Sequence, residues 1–299
     1  MKIGVCIRGL ENIAAEEVKG KKVAKGRVSF EGDIKNFKSI KLVYDLIDSF
    51  IFKTKLELVR NISKKLEFKG SFRVLCNREG EHKFDSGWVM SKLHNKIEND
   101  YRVVKYKDPE RIIYVDIVED KCLFGVLIKK DMYKRNYRVK LRGSTVHPCV
   151  AYSMLKLIDL KSKETFLEPR CGDGVIAIEA ALLGAEVTAL DRNIRDVRIN
   201  AKIAKVELDL QEGKLDTLNK KKFDKIATYL PSVSKIKREG MISGIYEEFF
   251  LIMKKILKGR MAILVEKKKL VKKFSSDFKL LEERKISVGN SGYYILIFE

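Results

Sequence analysis

The sequence predicts an α/β protein. Its C-terminal half is a parallel sheet covered by helices, and two smaller α+β units precede it. Three observations carry this reading. Strand-like and helix-like patterns alternate from residue 151 to the end, as repeated βα units require. The first 130 residues hold mixed strand and helix patterns that begin once and restart near residue 66. Residues 131–150 between them are strongly basic and read as a linker. A chain of 299 residues is long enough for two or three domains with real cores.

In residues 1–65, "KIGVCI" alternates like a strand. "LENIAAEEV" is a short helix with Ala14, Ala15 and Val18 on one face, and "GRVSFEG" is a strand bounded by glycines. "KSIKLVYDLIDSFIF" is a longer apolar segment, and "KTKLELVRNI" is read as a further strand. In residues 66–130, "SFRVLCNRE" is a strand, "DSGWVMSKLHNKIENDY" a helix capped by Asp85, and "RIIYVDIVEDKCLFGVLIKK" a hairpin turning at Glu119 and Asp120. From residue 151, the helix "AYSMLKLIDL" leads to the strand "TFLEPR", the helix "GVIAIEAALLG", the strand "AEVTALD" and the helix "IRDVRINAKIAK". "KFDKIATYLP", "GIYEEFFLIMKKIL" and "GRMAILVE" continue the alternation, and "FKLLEERKISV" with "GYYILIFE" reads as an antiparallel edge hairpin.

Lys and Arg number 62 against 41 Asp and Glu, a formal charge of +21. Such an excess predicts a polyanionic partner, with nucleic acid the usual one. A Lys-rich thermophile surface would normally raise Glu as well, and here the acids lag. From Lys129 to Arg142 seven basic residues, including Lys134, Arg135, Arg138 and Arg142, stand against one acid, with Tyr133 and Tyr137 interleaved. That mixture suits phosphate contact with base stacking, and it equally suits a solvated connector. The five Cys lack CxxC spacing and the three His are scattered, so neither a zinc framework nor a disulfide scaffold is expected. No apolar run reaches membrane-spanning length and no secretory pattern opens the chain, so a soluble, cytoplasmic protein is expected.

The segment "FLEPRCGDGVIAIEAALLGAEVTALDRN", residues 166–193, carries the chemistry. Ligands of α/β sheets sit beyond the carboxyl ends of the strands, where this glycine turn falls. Gly172 and Gly174 let backbone approach a ligand, and Asp191, about twenty residues on, can accept hydrogen bonds from two ribose hydroxyls. A dinucleotide fingerprint would place its third small residue at Ala177, so spacing alone leaves it open. Glu168, Pro169 and the Cys inside the turn suit a cofactor with an amino-acid moiety better than a pyrophosphate.

"FLEPRCGDGVIAIEAA" resembles the first motif of S-adenosylmethionine-dependent RNA methylases. The whole chain is similar to the THUMP-containing tRNA guanine-N2 methyltransferases, UPF0020-type RNA methylases, through "IRGLENIAAEEV" with "GRVSFEG", "SFRVLCNREGEHKFDS", "MYKRNYRV" before "HP", and "REGMISGIYEEFF". The resemblance implies a ferredoxin-like domain over residues 1–65, a THUMP RNA-binding domain over 66–130, a basic linker over 131–150 and a Rossmann-like class I methyltransferase domain over 151–299. It implies S-adenosylmethionine as cofactor. Glu168, Pro169, Cys171, Gly172, Asp173 and Gly174 would hold its methionine part, Asp191 with Arg192 and Asn193 its ribose, and Thr145, His147 and Pro148 would cover it. It implies tRNA as partner, with Arg73, Arg78 and Lys83 at the 3′ acceptor end and Lys134, Arg135, Arg138 and Arg142 along the linker. Methyl transfer would be a direct displacement that relies on positioning.

The catalytic segment departs from that pattern. The family has Asn or Asp, then Pro-Pro-Tyr or Leu-Pro-Tyr, to orient an exocyclic amine and stack a flipped base. Here Tyr229, Leu230, Pro231 and Ser232 stand instead. Lys214 occupies a position where the family usually has an acid for the adenine amine, with Asp216 near but out of register. Glu168 and Val175 alter the first motif. Two readings therefore stand: an active tRNA methyltransferase, and a catalytically impaired tRNA-binding protein that serves as partner to an active enzyme.

Overall fold

The computed structural model describes residues 1–143, 145–218, 221–232 and 239–299. The chain divides into two compact units, one of residues 1–6 and 14–132, the other of residues 7–13 and 133–299. The elements over the first 130 residues are β1 (Lys2–Cys6), α1 (Glu11–Val18), β2 (Lys21–Ala24), β3 (Arg27–Phe30), β4 (Ile40–Ile51), α2 (Lys55–Lys65), β5 (Gly70–Glu79), α3 (Ser86–Ile97), β6 (Arg102–Val104), β7 (Arg111–Val118) and β8 (Lys121–Lys129). Their strands form one sheet in the order β2-β3-β1-β4-β8-β7-β5-β6. The long β4 joins its two parts, pairing antiparallel with β1 on one side and β8 on the other.

Two sequence expectations change here. "KTKLELVRNI" is a helix. Thr54 caps it by accepting from the Glu57 amide at 3.2 Å, and Leu58, Val59 and Ile62 recur at helical spacing on its buried face. That face packs with Phe52, Phe72, Val89, Leu93 and Ile113. The helix thus belongs to the core of the residues that follow it, and the expected division at residue 65 falls inside that core. Arg27 and Asp116 tie the sheet further. Arg27 donates from Nε to Asp116 Oδ2 at 2.8 Å and from Nη2 to Oδ1 at 2.5 Å, and its Nη1 meets Glu79 at 2.7 Å. β3 and β7 lie far apart in the strand order, so the sheet must curl to bring this buried pair together.

The elements of the second unit beyond residue 133 are α4 (Pro148–Leu157), β9 (Thr165–Glu168), α5 (Val175–Leu182), β10 (Glu186–Asp191), α6 (Arg195–Ala204), β11 (Asp209–Glu212), β12 (Phe223–Tyr229), α7 (Glu239–Ile256), β13 (Leu257–Val265), α8 (Lys269–Phe274), β14 (Leu280–Val288) and β15 (Ser291–Phe298). The sheet order is β11-β10-β9-β12-β13-β15-β14, parallel as far as β13 and then antiparallel through the β14–β15 edge hairpin. Successive residues alternate between the two faces: Phe166 enters the core with α4 and α5, while Leu167 enters the core with α7. The chain leaves β9 in one direction to β10 and β11, then returns to place β12 on the other flank of β9. That reversal opens a crevice beyond the carboxyl ends of β9 and β12.

Candidate active site

β9 ends at Glu168 and delivers the chain into the turn at the crevice. Gly172 and Gly174 both adopt positive φ, +56° and +83°. A Cβ at Gly174 would lie 2.3 Å from Val197 Cγ2, so close packing on α6 demands glycine there as well. Gly174 also stands as the N-cap of α5 without a side chain to cap it. Glu168 fills that need from the strand, accepting from the Ala177 amide at 2.7 Å. Burial pushes the Glu168 carboxyl well above the usual carboxylate range. The Ala177 hydrogen bond opposes the shift, and nearby Asp173 and Asp191 add to it. The Cys171 thiol is likewise pushed up by burial, with Glu168 and Asp191 contributing.

Asp191 ends β10 facing the turn. Its Oδ2 accepts from the Gly172 amide at 2.9 Å, and its Oδ1 accepts from the Asn193 amide and from Arg142 Nη1, each at 3.2 Å. Arg142 also donates to Asp196 at 3.0 Å and to the Asn193 carbonyl at 2.6 Å. A cavity of about 350 Å³ collects these groups: Glu168, Cys171, Gly172, Asp173 and Asp191 line one side, Tyr229, Pro231 and Ser232 the other. Tyr229 donates from its hydroxyl to Glu266 Oε1 at 3.1 Å, and burial with the adjacent Glu266 raises its pKa. Ser232 Oγ is buried with no hydrogen-bond partner among the described residues. Leu230 is fully buried behind the wall. Residues 233–235 of the segment after Ser232, and Arg238 at the head of "REGMISGIYEEFF", lie outside the described residues.

Other expected cofactor residues sit elsewhere. Pro169 is buried beside Glu168, and Arg192 and Asn193 are exposed past Asp191. Asn193 serves α6 by accepting from the Arg195 amide at 3.0 Å. His147 caps α4, with Pro148 as its first residue. Thr145 and His147 line a second cavity of about 380 Å³, which shares Val146, Tyr229 and Glu266 with the first. Lys214 and Asp216 are both exposed and line neither cavity.

The expected basic linker is largely spent on folding. Arg135 lies beside the buried Glu179 and donates to it at 2.7 Å, and the buried Tyr137 donates its hydroxyl to the same carboxylate at 2.8 Å. Arg138 donates to Thr145 at 3.0 Å, and Arg142 holds Asp191. Among the four cations expected to touch RNA here, only Lys134 is exposed. The reason is charge pairing: a buried Glu179 needs a cation and a hydroxyl, and the linker supplies both. In the first unit, Arg73 donates to the Tyr106 carbonyl at 3.2 Å and Arg78 to the Gly80 carbonyl at 3.0 Å, while Lys83 is exposed.

Besides Glu266, two residues at the site carry no sequence signal, Arg170 and Asn200. Arg170 lines the first cavity, its guanidinium pKa lowered by burial despite nearby Asp191. The buried Asn200 on α6 accepts from the Lys140 amide at 3.0 Å and donates to the carbonyls of Lys140 and Asp173, both at 2.8 Å. It clamps the linker to the glycine turn. No sequence signal marks it beyond a polar residue on the apolar face of α6.

The parallel order, the reversal at β9 and the glycine turn facing a strand-end carboxylate define the Rossmann-like fold of class I methyltransferases. Residues 135–295 match the RMKL-like methyltransferase domain of UPF0020, and the chain belongs to that family. It is 29% identical over 205 residues to the tRNA (guanine(6)-N2)-methyltransferase of Methanocaldococcus jannaschii, covering 58% of this chain and 54% of that one. It is 30% identical over 214 residues to the protein of the same name from Archaeoglobus fulgidus, covering 63% and 54%. The chain thus spans about half the length of the curated relatives it matches. TrmN from Thermus thermophilus has the same fold with a TM-score of 0.81 at 23% identity, covering 100% of this chain and 98% of that one. SMU.472 complexed with SAH superposes with a TM-score of 0.79 at 17% identity, covering 99% and 97%.

Proposed function

We propose that the chain is a cytoplasmic, S-adenosylmethionine-dependent tRNA methyltransferase that modifies the exocyclic amine of a guanine. The observation that carries the reading is the first cavity, where a two-glycine turn faces a carboxylate already fixed by a backbone amide. The residues present suit the cofactor. Asp191 would receive the ribose hydroxyls, the turn from Cys171 to Gly174 the amino-acid part, and Arg170 offers a cation for its carboxylate. When bound, the cofactor supplies an electrophilic methyl group. The protein's own contribution is orientation: Gly172 and Arg142 hold Asp191, Glu168 fixes the start of α5, and Asn200 holds the turn from behind.

The relatives named as tRNA methyltransferases and the net charge support tRNA as substrate. In the first unit, which we read as the ferredoxin-like and THUMP pair, exposed Lys53, Lys55, Arg60, Lys83, Lys92 and Lys96 surround the face of α2 and α3. Lys55 Nζ lies 4.8 Å from the Trp88 ring centroid on that face. Cations around an aromatic suit phosphates and a stacked 3′-terminal base. The non-catalytic reading rests on Tyr229, Ser232 and Lys214 in place of the family's residues. Calorimetric titration with S-adenosylhomocysteine tests the cofactor assignment. Micromolar binding is expected, weakened by about 10- to 100-fold in Asp191→Ala through loss of a charge-assisted hydrogen bond. Absence of binding by the unaltered protein would overturn it.

A further inference from the structure

We infer that Glu266 receives and orients the guanine amine, in place of the Asn or Asp missing at position 229. The inference rests on the methyltransferase reading above. Tyr229 of β12 pairs with Leu264 of β13, so Glu266, just past the end of β13, emerges at the same edge of the sheet as the Tyr229–Ser232 segment. Glu266 and Tyr229 stand in the wall common to both cavities. On one side lie the glycine turn and Asp191. The other cavity, about 380 Å³, is lined by Val150, Leu264, Ile286, Val288 and Tyr293, an apolar and aromatic surface suited to a flipped purine. A base seated there and a methyl donor seated against the turn would meet at Glu266.

The remaining carboxylates of the first cavity have other commitments. Glu168 serves the Ala177 amide, Asp191 serves Gly172, Asn193 and Arg142, and Asp173 lies buried under the Arg142 amide. Glu266 accepts a single hydrogen bond among the described residues, from the Tyr229 hydroxyl at 3.1 Å. That bond fixes one carboxylate oxygen and leaves the other to accept from an N–H of the base. Tyr229, a weaker acceptor than the missing amide or carboxylate, thereby acts as a positioning residue for one. In the transfer the nitrogen lone pair forms the new N–C bond, the sulfonium–methyl bond breaks with its electron pair left on sulfur, and one proton leaves the nitrogen. Glu266 accepts that proton and, being exposed, releases it to water.

The test is steady-state methyl transfer from S-adenosylmethionine to a panel of unmodified tRNA transcripts, with S-adenosylhomocysteine affinity measured in parallel. Glu266→Gln is expected to lower kcat by about 100-fold while the KM for RNA changes by less than about 3-fold, because the amide oxygen can still accept from the base but cannot take up the proton that leaves the nitrogen. Tyr229→Phe is expected to lower kcat by about 10-fold through the freed carboxylate. Both variants should bind S-adenosylhomocysteine as the unaltered protein does, which also shows that they fold. If Glu266→Gln keeps kcat within about 2-fold, the inference is overturned while the methyltransferase reading stands. A matching loss of S-adenosylhomocysteine affinity overturns it too, since Glu266 would then serve the cofactor. Failure of the unaltered protein to methylate any transcript removes the methyltransferase reading and this inference together.

Discussion

Gly174 decides whether the turn after β9 can form. An alanine there must adopt a positive φ and overlap Val197, which costs about 2 kcal/mol or more. Gly174→Ala is therefore expected to lower the thermal midpoint and to weaken S-adenosylhomocysteine binding, as read by scanning calorimetry with and without the ligand. Glu168 gives a pH signature. Its folded pKa is raised by burial, so the folded state holds this proton more tightly than the unfolded chain does. The stability it contributes is complete below the unfolded carboxyl pKa and is lost as pH rises toward the folded value. Glu168→Gln keeps an acceptor for the Ala177 amide and removes the titration. Its stability relative to the unaltered protein should rise as pH climbs above the unfolded carboxyl pKa, measured by denaturant unfolding followed with near-ultraviolet circular dichroism. A difference independent of pH would contradict this. At this scale, glycines and strand-end carboxylates were legible because their roles follow from local geometry. Asn200 and Glu266 were silent because their partners lie sixty and thirty-seven residues away, at Lys140 and Tyr229.

At the scale of elements, the alternation of βα units was readable because each segment carries its own period. "KTKLELVRNI" reads as a strand because it is short and mostly polar, yet it forms the helix α2, and its Thr54 cap is the deciding signal. The stretch 131–143 misleads in another way. Composition counts its cations but cannot show that Arg135 and Arg142 answer carboxylates on α5, β10 and α6. The Arg27–Asp116 pair was equally hidden, since it depends on the curl of a sheet whose strand order the sequence does not state. Arg27→Met leaves the fully buried Asp116 without its cation and is expected to destabilise the first unit by about 3–5 kcal/mol. Trp88, the sole tryptophan, lies on α3 and reports the unfolding of that unit by fluorescence. A loss below about 1 kcal/mol would show that the Tyr44 and Asn77 hydrogen bonds to Asp116 suffice without the cation.

At the scale of the molecule, net charge and the order of family-like segments point to an RNA-modifying protein. The structure redistributes that charge. Arg135 and Arg142 answer carboxylates of the second unit, while lysines on α2 and α3 are exposed. No helix among the described residues is long and apolar enough to cross a membrane. The proposed methyl-donor site and the exposed cations of α2 and α3 thus belong to different units. The altered segment at Tyr229 then becomes the point on which the account turns. Incubation of the full chain with methyl-labelled S-adenosylmethionine and unmodified tRNA transcripts, followed by nucleoside analysis, tests it most directly. The account predicts label in N2-methylguanosine. Label absent from every transcript, in protein that binds both S-adenosylhomocysteine and tRNA, would contradict it and leave a binding protein on a methyltransferase fold.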